Sequence, residues 1–203
     1  MTHQRKPRGP YRKSAERREQ ILQAAYEAID EHGERASLQD IADRVGVTQP
    51  ALTYYFPTRD DLLLAVLDRR DVMGKAFAEG HSMIDGIVAS TRHAADHPGL
   101  AKLYVTLSAA ATDPESPAHS YFAERYRSLA AEMTQYVQEQ QHNGVVRVDE
   151  PADHLARTLL AVLDGLQVQW MHDPAVDIAT IVETFMRLLV PSAASGREAE
   201  PAG

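Results

Sequence analysis

His93 and His97 stand four residues apart in HAADH, with Asp96 between them, and that spacing would put both imidazoles on one face of a helix, where they could hold a divalent metal. No third ligand is evident nearby. A histidine before Pro98, at a helix end, is favoured there by the helix dipole, so the expectation is no bound metal. The paired carboxylates Asp60-Asp61 and Asp149-Glu150 fall where helices start, and capping and dipole effects account for them without catalysis. The chain has no cysteine, no Gly-rich phosphate loop and no HExxH, which leaves no activated nucleophile, metal cage or phosphate cradle. The protein is therefore expected not to be an enzyme and to need no cofactor.

A different chemistry is offered by VTQPALTYYFP, Val47 to Pro57. With Leu52 at zero on a helical wheel, Phe56 falls at about 40°, Thr53 at about 100°, Pro50 at about 160°, Tyr54 at about 200° and Ala51 at about 260°. Leu52 and Phe56 thus pin the segment, while Pro50, Ala51, Thr53 and Tyr54 face away. The small residues on that outward face permit close approach. An α-helix fits the major groove of DNA, where the Gln49 amide could read base edges, the Thr53 methyl could touch thymine, and tyrosine hydroxyls could bond phosphates. Tyr55, at about 300°, is equally placed to be a boundary packing residue.

The elements that must position this segment are helices. Apolar residues recur at helical spacing nearly throughout, and no run of four to eight residues alternates as a strand would, so the chain is expected to be all-α. Residues 1–13, with Pro7, Gly9 and Pro10, are expected to form a flexible basic arm. Ser14 is expected to cap a first helix with Ile21, Leu22, Ala25 and Ile29 on one face, stopped by Gly33. Ser37 and Asp40 form a capping-box pattern for a second helix that ends at Gly46; Thr48 caps a third, in which Pro50 is tolerated in the first turn. A short helix, a tight Gly-containing turn and another short helix make the helix-turn-helix arrangement. Six longer helices are expected near 60–78, 81–96, 99–112, 117–142, 151–172 and 177–190, about nine in total. The Ala-, Gly-, Ser- and Glu-rich stretch 192–203 is expected to be a disordered tail.

Composition sets the outer limits. Of 203 residues, 44% are hydrophobic and 25% charged, an ordinary globular balance. The longest apolar run, about Leu62 to Leu67, is far short of the roughly 20 residues that span a bilayer, and the N-terminus is too polar for a secretory signal, so a cytoplasmic protein without a membrane partner is expected. The net charge of -8 argues against a nucleic-acid partner when taken as an average. It is segregated, however. Lys and Arg outnumber Asp and Glu 12 to 11 over residues 1–70, whereas acids outnumber bases 18 to 9 over residues 71–203. Within the first 20 residues, Arg5, Lys6, Arg8, Arg12, Lys13, Arg17 and Arg18 are opposed only by Glu16 and Glu19.

The stretch SLQDIADRVGVTQPALTYYFPTRDDLLLAVL, Ser37 to Leu67, resembles the TetR family of transcriptional repressors. That family has a helix-turn-helix, a recognition helix of L-Y-x-[HY]-F type, and a following helix with a basic residue near its start. Leu52, Tyr55, Phe56, Pro57 and Arg59 fit the pattern, and Gln49-Pro50 occurs in tetracycline-type members; Thr53 departs from the usual tyrosine. The resemblance is motif-specific over about residues 14–70 and architectural beyond. It implies a helix-turn-helix DNA-binding domain at 14–58 and a larger helical effector-binding and dimerisation domain at 59–191. It also implies that Thr48 and Tyr55 bond DNA phosphates, that Arg59 pairs with the backbone, and that Gln49, Pro50 and Ala51 lie against the bases. Ser37 would be a phosphate contact or only a cap. Arg5, Lys6, Arg8 and Arg12 would enter an adjacent minor groove.

For the acidic part the resemblance implies a homodimer on a double-stranded, palindromic operator and release by an unknown small-molecule effector. Two apolar stripes fit a dimer interface: Leu155, Leu159, Val162, Leu163 and Leu166, and Ile178, Ile181, Val182, Phe185, Leu188 and Leu189. Part of each stripe must also serve the chain's own core. An effector pocket could draw on Met73, Phe77, Met83, Ile87, Tyr104, Leu107, Ser108, Tyr121, Phe122, Tyr126, Gln167, Trp170 and Met171. The alternative is a helical ligand-binding or protein-interaction module without operator binding.

Overall fold

The computed structural model describes residues 9–191, and among these residues all regular structure is helical: nine α-helices and one 3-10 turn. They are α1 (Gly9–His32), the 3-10 turn Gly33–Arg35, α2 (Leu38–Val45), α3 (Gln49–Tyr55), α4 (Arg59–Ala78), α5 (Met83–Ala95), α6 (Pro98–Ala110), α7 (His119–His142), α8 (Ala152–His172) and α9 (Ile178–Leu188). Residues 1–8, with Arg5, Lys6 and Arg8, and the expected tail 192–203 lie outside the described residues.

Helix α1 begins earlier than its sequence suggests. Ser14 lies inside the helix rather than capping it, because Pro10 occupies a first-turn position where no intrahelical amide is needed, and Arg12 pairs with Glu16 one turn on, Nε to Oε1 at 2.8 Å. Residues 9–13 are therefore helical rather than part of an arm.

The described residues divide into two packing units, one taking in residues 9–77 with His93–Tyr121, the other Ala78–Arg92 with residues 122–191. The first unit thus extends past residue 58, so the functional division expected there is not a packing division. Its core gathers Ile21 and Ile29 of α1, Ile41 of α2, Leu52 of α3, Leu62, Val66 and Leu67 of α4, and Leu100 and Leu103 of α6, each 2% exposed or less. Helix α6 meets α1 backbone to backbone at Gly99, where an added Cβ would sit 2.3 Å from the carbonyl oxygens of both Ile29 and Asp30.

The second unit is built by α8 and α9 with most of α5 and α7. Leu155, Leu159 and Leu166 of α8 and Ile178, Val182 and Met186 of α9 are buried, as are Val137 of α7 and Leu189. The Arg147 amide donates to the Leu189 carbonyl at 2.8 Å, and the Gln141 side chain donates to the carbonyls of Arg147 and Glu150 at 2.8 and 2.9 Å, which fixes the α7–α8 connection. No helix among the described residues is long and apolar enough to cross a membrane.

Candidate nucleic-acid interface

Each helix around α3 is fixed at its N-terminus by a side chain. The Ser37 amide donates to Asp40 Oδ2 at 3.0 Å, and the Asp40 amide donates to Ser37 Oγ at 3.1 Å, a reciprocal capping box. Gly46 closes α2 in the left-handed region at φ 70°, a conformation that a residue with a Cβ adopts only under strain. Two residues later Thr48 Oγ1 accepts from the Ala51 amide at 3.3 Å and opens α3. Thr58 and Asp61 repeat the box ahead of α4, at 2.9 and 3.0 Å.

Within this frame α3 has one face committed inward. Leu52 is 0% and Phe56 2% exposed, whereas Tyr54 is 78% exposed. Gln49 and Pro50 are exposed, and Ala51, Thr53 and Tyr55 are half-buried. The Thr53 hydroxyl donates to the Pro50 carbonyl at 3.0 Å, so its methyl is the part left for an outside contact. The rings of Tyr54 and Tyr55 meet edge to face, centroids 5.1 Å apart at 88°. The structure therefore brings Thr48, Gln49, Pro50, Ala51, Thr53, Tyr54 and Tyr55 together on one short helix with its cap.

The remaining candidates have mixed placements. Ser37 Oγ donates to Asp40 Oδ2 at 2.6 Å as well as accepting the Asp40 amide, which is the geometry of a cap. Arg59 is exposed at the start of α4 and its Nη2 donates to the Ala36 carbonyl at 3.5 Å. Arg12 is held by Glu16. One cation that the sequence reading counted only in a basic cluster has a defined place: the Arg18 guanidinium lies 4.6 Å from the centre of the Phe56 ring, beside the end of α3. Its signal was its position on α1 three residues before Ile21, one turn from the core face.

Hydrogen bonds from the Ser37 side chain and backbone hold the Asp40 carboxyl below its ordinary value. A depressed carboxyl contributes stability above its unfolded pKa and loses it as pH falls through the folded value, so the capping box weakens in acid. Ser37→Ala is expected to lower folding stability by about 1 kcal/mol at neutral pH, with the deficit shrinking in acid; urea denaturation at the two pH values checks both.

His93 and His97 do not share one helix face. Helix α5 stops at Ala95, and His97 is the residue before α6, with its Nδ1 2.5 Å from Asp30 Oδ2 of α1. His93 stacks on Phe77, centroids 3.9 Å apart, and burial first, then the neighbouring His97, push its imidazole below the ordinary pKa. No group of three His, Cys, Asp or Glu side chains among the described residues is placed to hold a metal ion. Asp30 as the partner of His97 was not legible, because 67 residues separate the two in sequence.

The candidate effector residues are divided between the units. In the first, Met73 and Phe77 are exposed, Tyr104 is buried beneath the Arg70 guanidinium at 4.9 Å, and Leu107, Ser108 and Tyr121 are half-buried, the Tyr121 hydroxyl donating to Asp68 at 2.9 Å. In the second, Met83 and Phe122 are buried, and Ile87, Tyr126, Gln167, Trp170 and Met171 are half-buried. The Tyr126 hydroxyl donates to Asp164 at 2.7 Å.

The expected dimer stripes divide between the chain's own core and its surface. Leu155, Leu159, Leu166, Ile178, Val182 and Leu189 are 8% exposed or less within the single chain, so they form the core beneath the α8–α9 surface rather than the surface itself. Ile181 at 42% and Leu188 at 67% remain exposed on α9, and Val168 at 43% on α8, a residue the sequence reading left out. Val162, Leu163 and Phe185 are half-buried.

Residues 21–66 match the family described as bacterial regulatory proteins, tetR family, and residues 97–190 match the C-terminal region of BetI-type transcriptional repressors. The chain is 30% identical over 152 residues to the HTH-type transcriptional repressor AcnR of Corynebacterium diphtheriae, covering 73% of this chain and 78% of that one. A TetR-family transcriptional regulator from Rhodococcus sp. has a similar structure, with a TM-score of 0.71 at 22% identity over 87% of this chain and all of that one. So does FadR of Thermus thermophilus, solved with lauroyl-CoA, with a TM-score of 0.56 at 22% identity over 92% of this chain and all of that one.

Proposed function

Because the chain belongs to the tetR family of bacterial regulatory proteins, and so is a transcriptional regulator and not an enzyme, we propose that it is a repressor that binds a near-palindromic operator as a homodimer and is released by a small-molecule effector. The observation that carries this reading is the outward face of α3: an N-capped helix held by Leu52 and Phe56 that presents Gln49, Pro50 and Tyr54. Gln49, Pro50, Ala51 and Thr53 meet base edges, and Thr48, Tyr54, Tyr55 and Arg59 meet the sugar-phosphate backbone. Ser37 caps α2 and borders that backbone. The basic residues Arg5, Lys6 and Arg8, together with Arg12 near the start of α1, add minor-groove contacts.

The dimer forms through α8 and α9, where Val168, Ile181 and Leu188 stay exposed, because exposed apolar side chains gain from a partner. A twofold axis then places two α3 helices about 34–36 Å apart, one turn of DNA. The effector acts by preferring the state in which α4 has shifted and the two readers no longer match successive grooves; only such a difference in affinity can move the equilibrium. The lauroyl-CoA in the Thermus thermophilus relative supports a small molecule in this role without naming the one used here.

Selection of the purified protein against a random duplex pool, followed by salt titration of the winners, tests the reading. Enrichment of a palindrome whose affinity falls steeply with salt supports it. A folded, dimeric protein that enriches no sequence is instead a helical ligand-binding or interaction module. On the selected operator, Arg59→Gln is expected to weaken binding and to reduce the salt slope by about one.

A further inference from the structure

A cavity of about 380 Å³ lies within the first unit, lined by Arg35, Ala36, Ser37, Arg59, Leu63, Leu103 and Leu107. Its volume falls at the small end of the range of about 300–1,000 Å³ typical of small-molecule sites. The lining combines two chemistries. Leu63 and Leu103 are 4% and 2% exposed, and with the half-buried Leu107 they give an apolar floor from α4 and α6. Arg35 and Arg59, both exposed residues, and Ser37 supply the polar part of the lining.

We propose that this cavity is a binding site for a small amphiphilic carboxylate, with its anionic head between Arg35 and Arg59 and its apolar body on Leu63, Leu103 and Leu107. Guanidinium groups pair with carboxylates through two parallel, charge-assisted hydrogen bonds. Ser37, in the same lining, binds Asp40 through both its amide and its hydroxyl. Ser37 donates its hydroxyl proton to Asp40, so recognition of the head falls to the two arginines.

The location gives the site a consequence that the effector reading does not contain. Arg59 is assigned above to the DNA backbone, so a carboxylate held by it occupies the same donor as an operator phosphate. The ligand and DNA then compete for one side chain, with no change of state required. All the lining residues belong to the first unit, whereas the helices proposed above for the dimer belong to the second.

Octanoate is the probe, with octanol, octyltrimethylammonium and inorganic phosphate as contrasts, titrated into the full-length protein carrying 13C-labelled leucine methyl groups. Octanoate is expected to shift the methyl signals of Leu63, Leu103 and Leu107, and the three contrasts are not. Arg35→Gln, which lies outside the proposed DNA contacts, is expected to weaken octanoate binding about tenfold or more, the value of a charged hydrogen bond, while leaving DNA binding intact. Leu107→Trp, at a half-buried position, fills the cavity and is expected to abolish the shifts without a core residue being lost. Equal shifts from octanol or phosphate, or octanoate binding that survives both variants unchanged, overturn the proposal. Those results leave the operator reading standing, because that reading is tested by DNA binding without any probe.

Discussion

Gly99→Ala is expected to lower folding stability by about 3 kcal/mol or more, the upper end of what overpacking costs. The new methyl carbon would lie 2.3 Å from two backbone oxygens, those of Ile29 and Asp30, and 2.8 Å from the Asp30 carbonyl carbon. These carbonyls belong to the last turn of α1, so relief requires either that the end of α1 unwind or that α6 lift off it. The latter movement separates His97 from Asp30, held at 2.5 Å, and loosens Leu100, which is fully buried one residue further on. Gly165→Ala in α8 is the internal control. Its Cβ would have no atom of its own chain within 4 Å and the residue is exposed, so the same change is expected to stabilise the single chain by about 0.5–1 kcal/mol through helix propensity. Urea midpoints measured on both variants should move in opposite directions; a Gly99→Ala midpoint equal to that of the unsubstituted chain would mean that α1 and α6 are not in backbone contact.

The same residue marks where the sequence stopped being legible. His97-Pro98-Gly99 was readable as a break between helices, and it is one, but nothing local says that Gly99 meets a carbonyl some 70 positions earlier in the chain. Caps, by contrast, are written within four residues, and Ser37 with Asp40, Gly46, and Thr48 all act where their spacing put them. The facing of α3 was legible for a related reason, since a single helical period separates Leu52 and Phe56 from Tyr54. Periodicity failed on α8 and α9 because it reports that a face is covered without saying by what. Leu159 and Val182 are covered by their own chain, whereas Ile181 and Leu188 are not. The cavity beside Arg35 and Arg59 was invisible for both reasons together: its walls come from the 3-10 turn, α4 and α6, and no periodic pattern joins them.

Leu52→Ala and Tyr54→Ala, two residues apart on α3, are expected to fail in opposite ways. A helix of seven residues does not hold itself in water, so α3 exists because Leu52, fully buried, anchors it to the rest of the first unit. Emptying that position is expected to cost about 3 kcal/mol, a large share of the roughly 5–15 kcal/mol that holds a typical domain. The DNA affinity lost with it should return in part on cooling or with a stabilising osmolyte, because the contacts themselves are intact. Tyr54 is 78% exposed, and its removal is expected to change stability by less than about 0.5 kcal/mol. If the outward face of α3 docks on DNA, the same change weakens operator binding by about 1.5–3 kcal/mol, the value of a hydrogen bond to a charged phosphate, and no osmolyte restores it. Measuring the urea midpoint and the operator affinity of each variant separates the two. A Tyr54→Ala protein that is folded and binds the selected operator as tightly as before would show that this tyrosine takes no part in docking, and would move the weight of recognition to Gln49 and the residues around it.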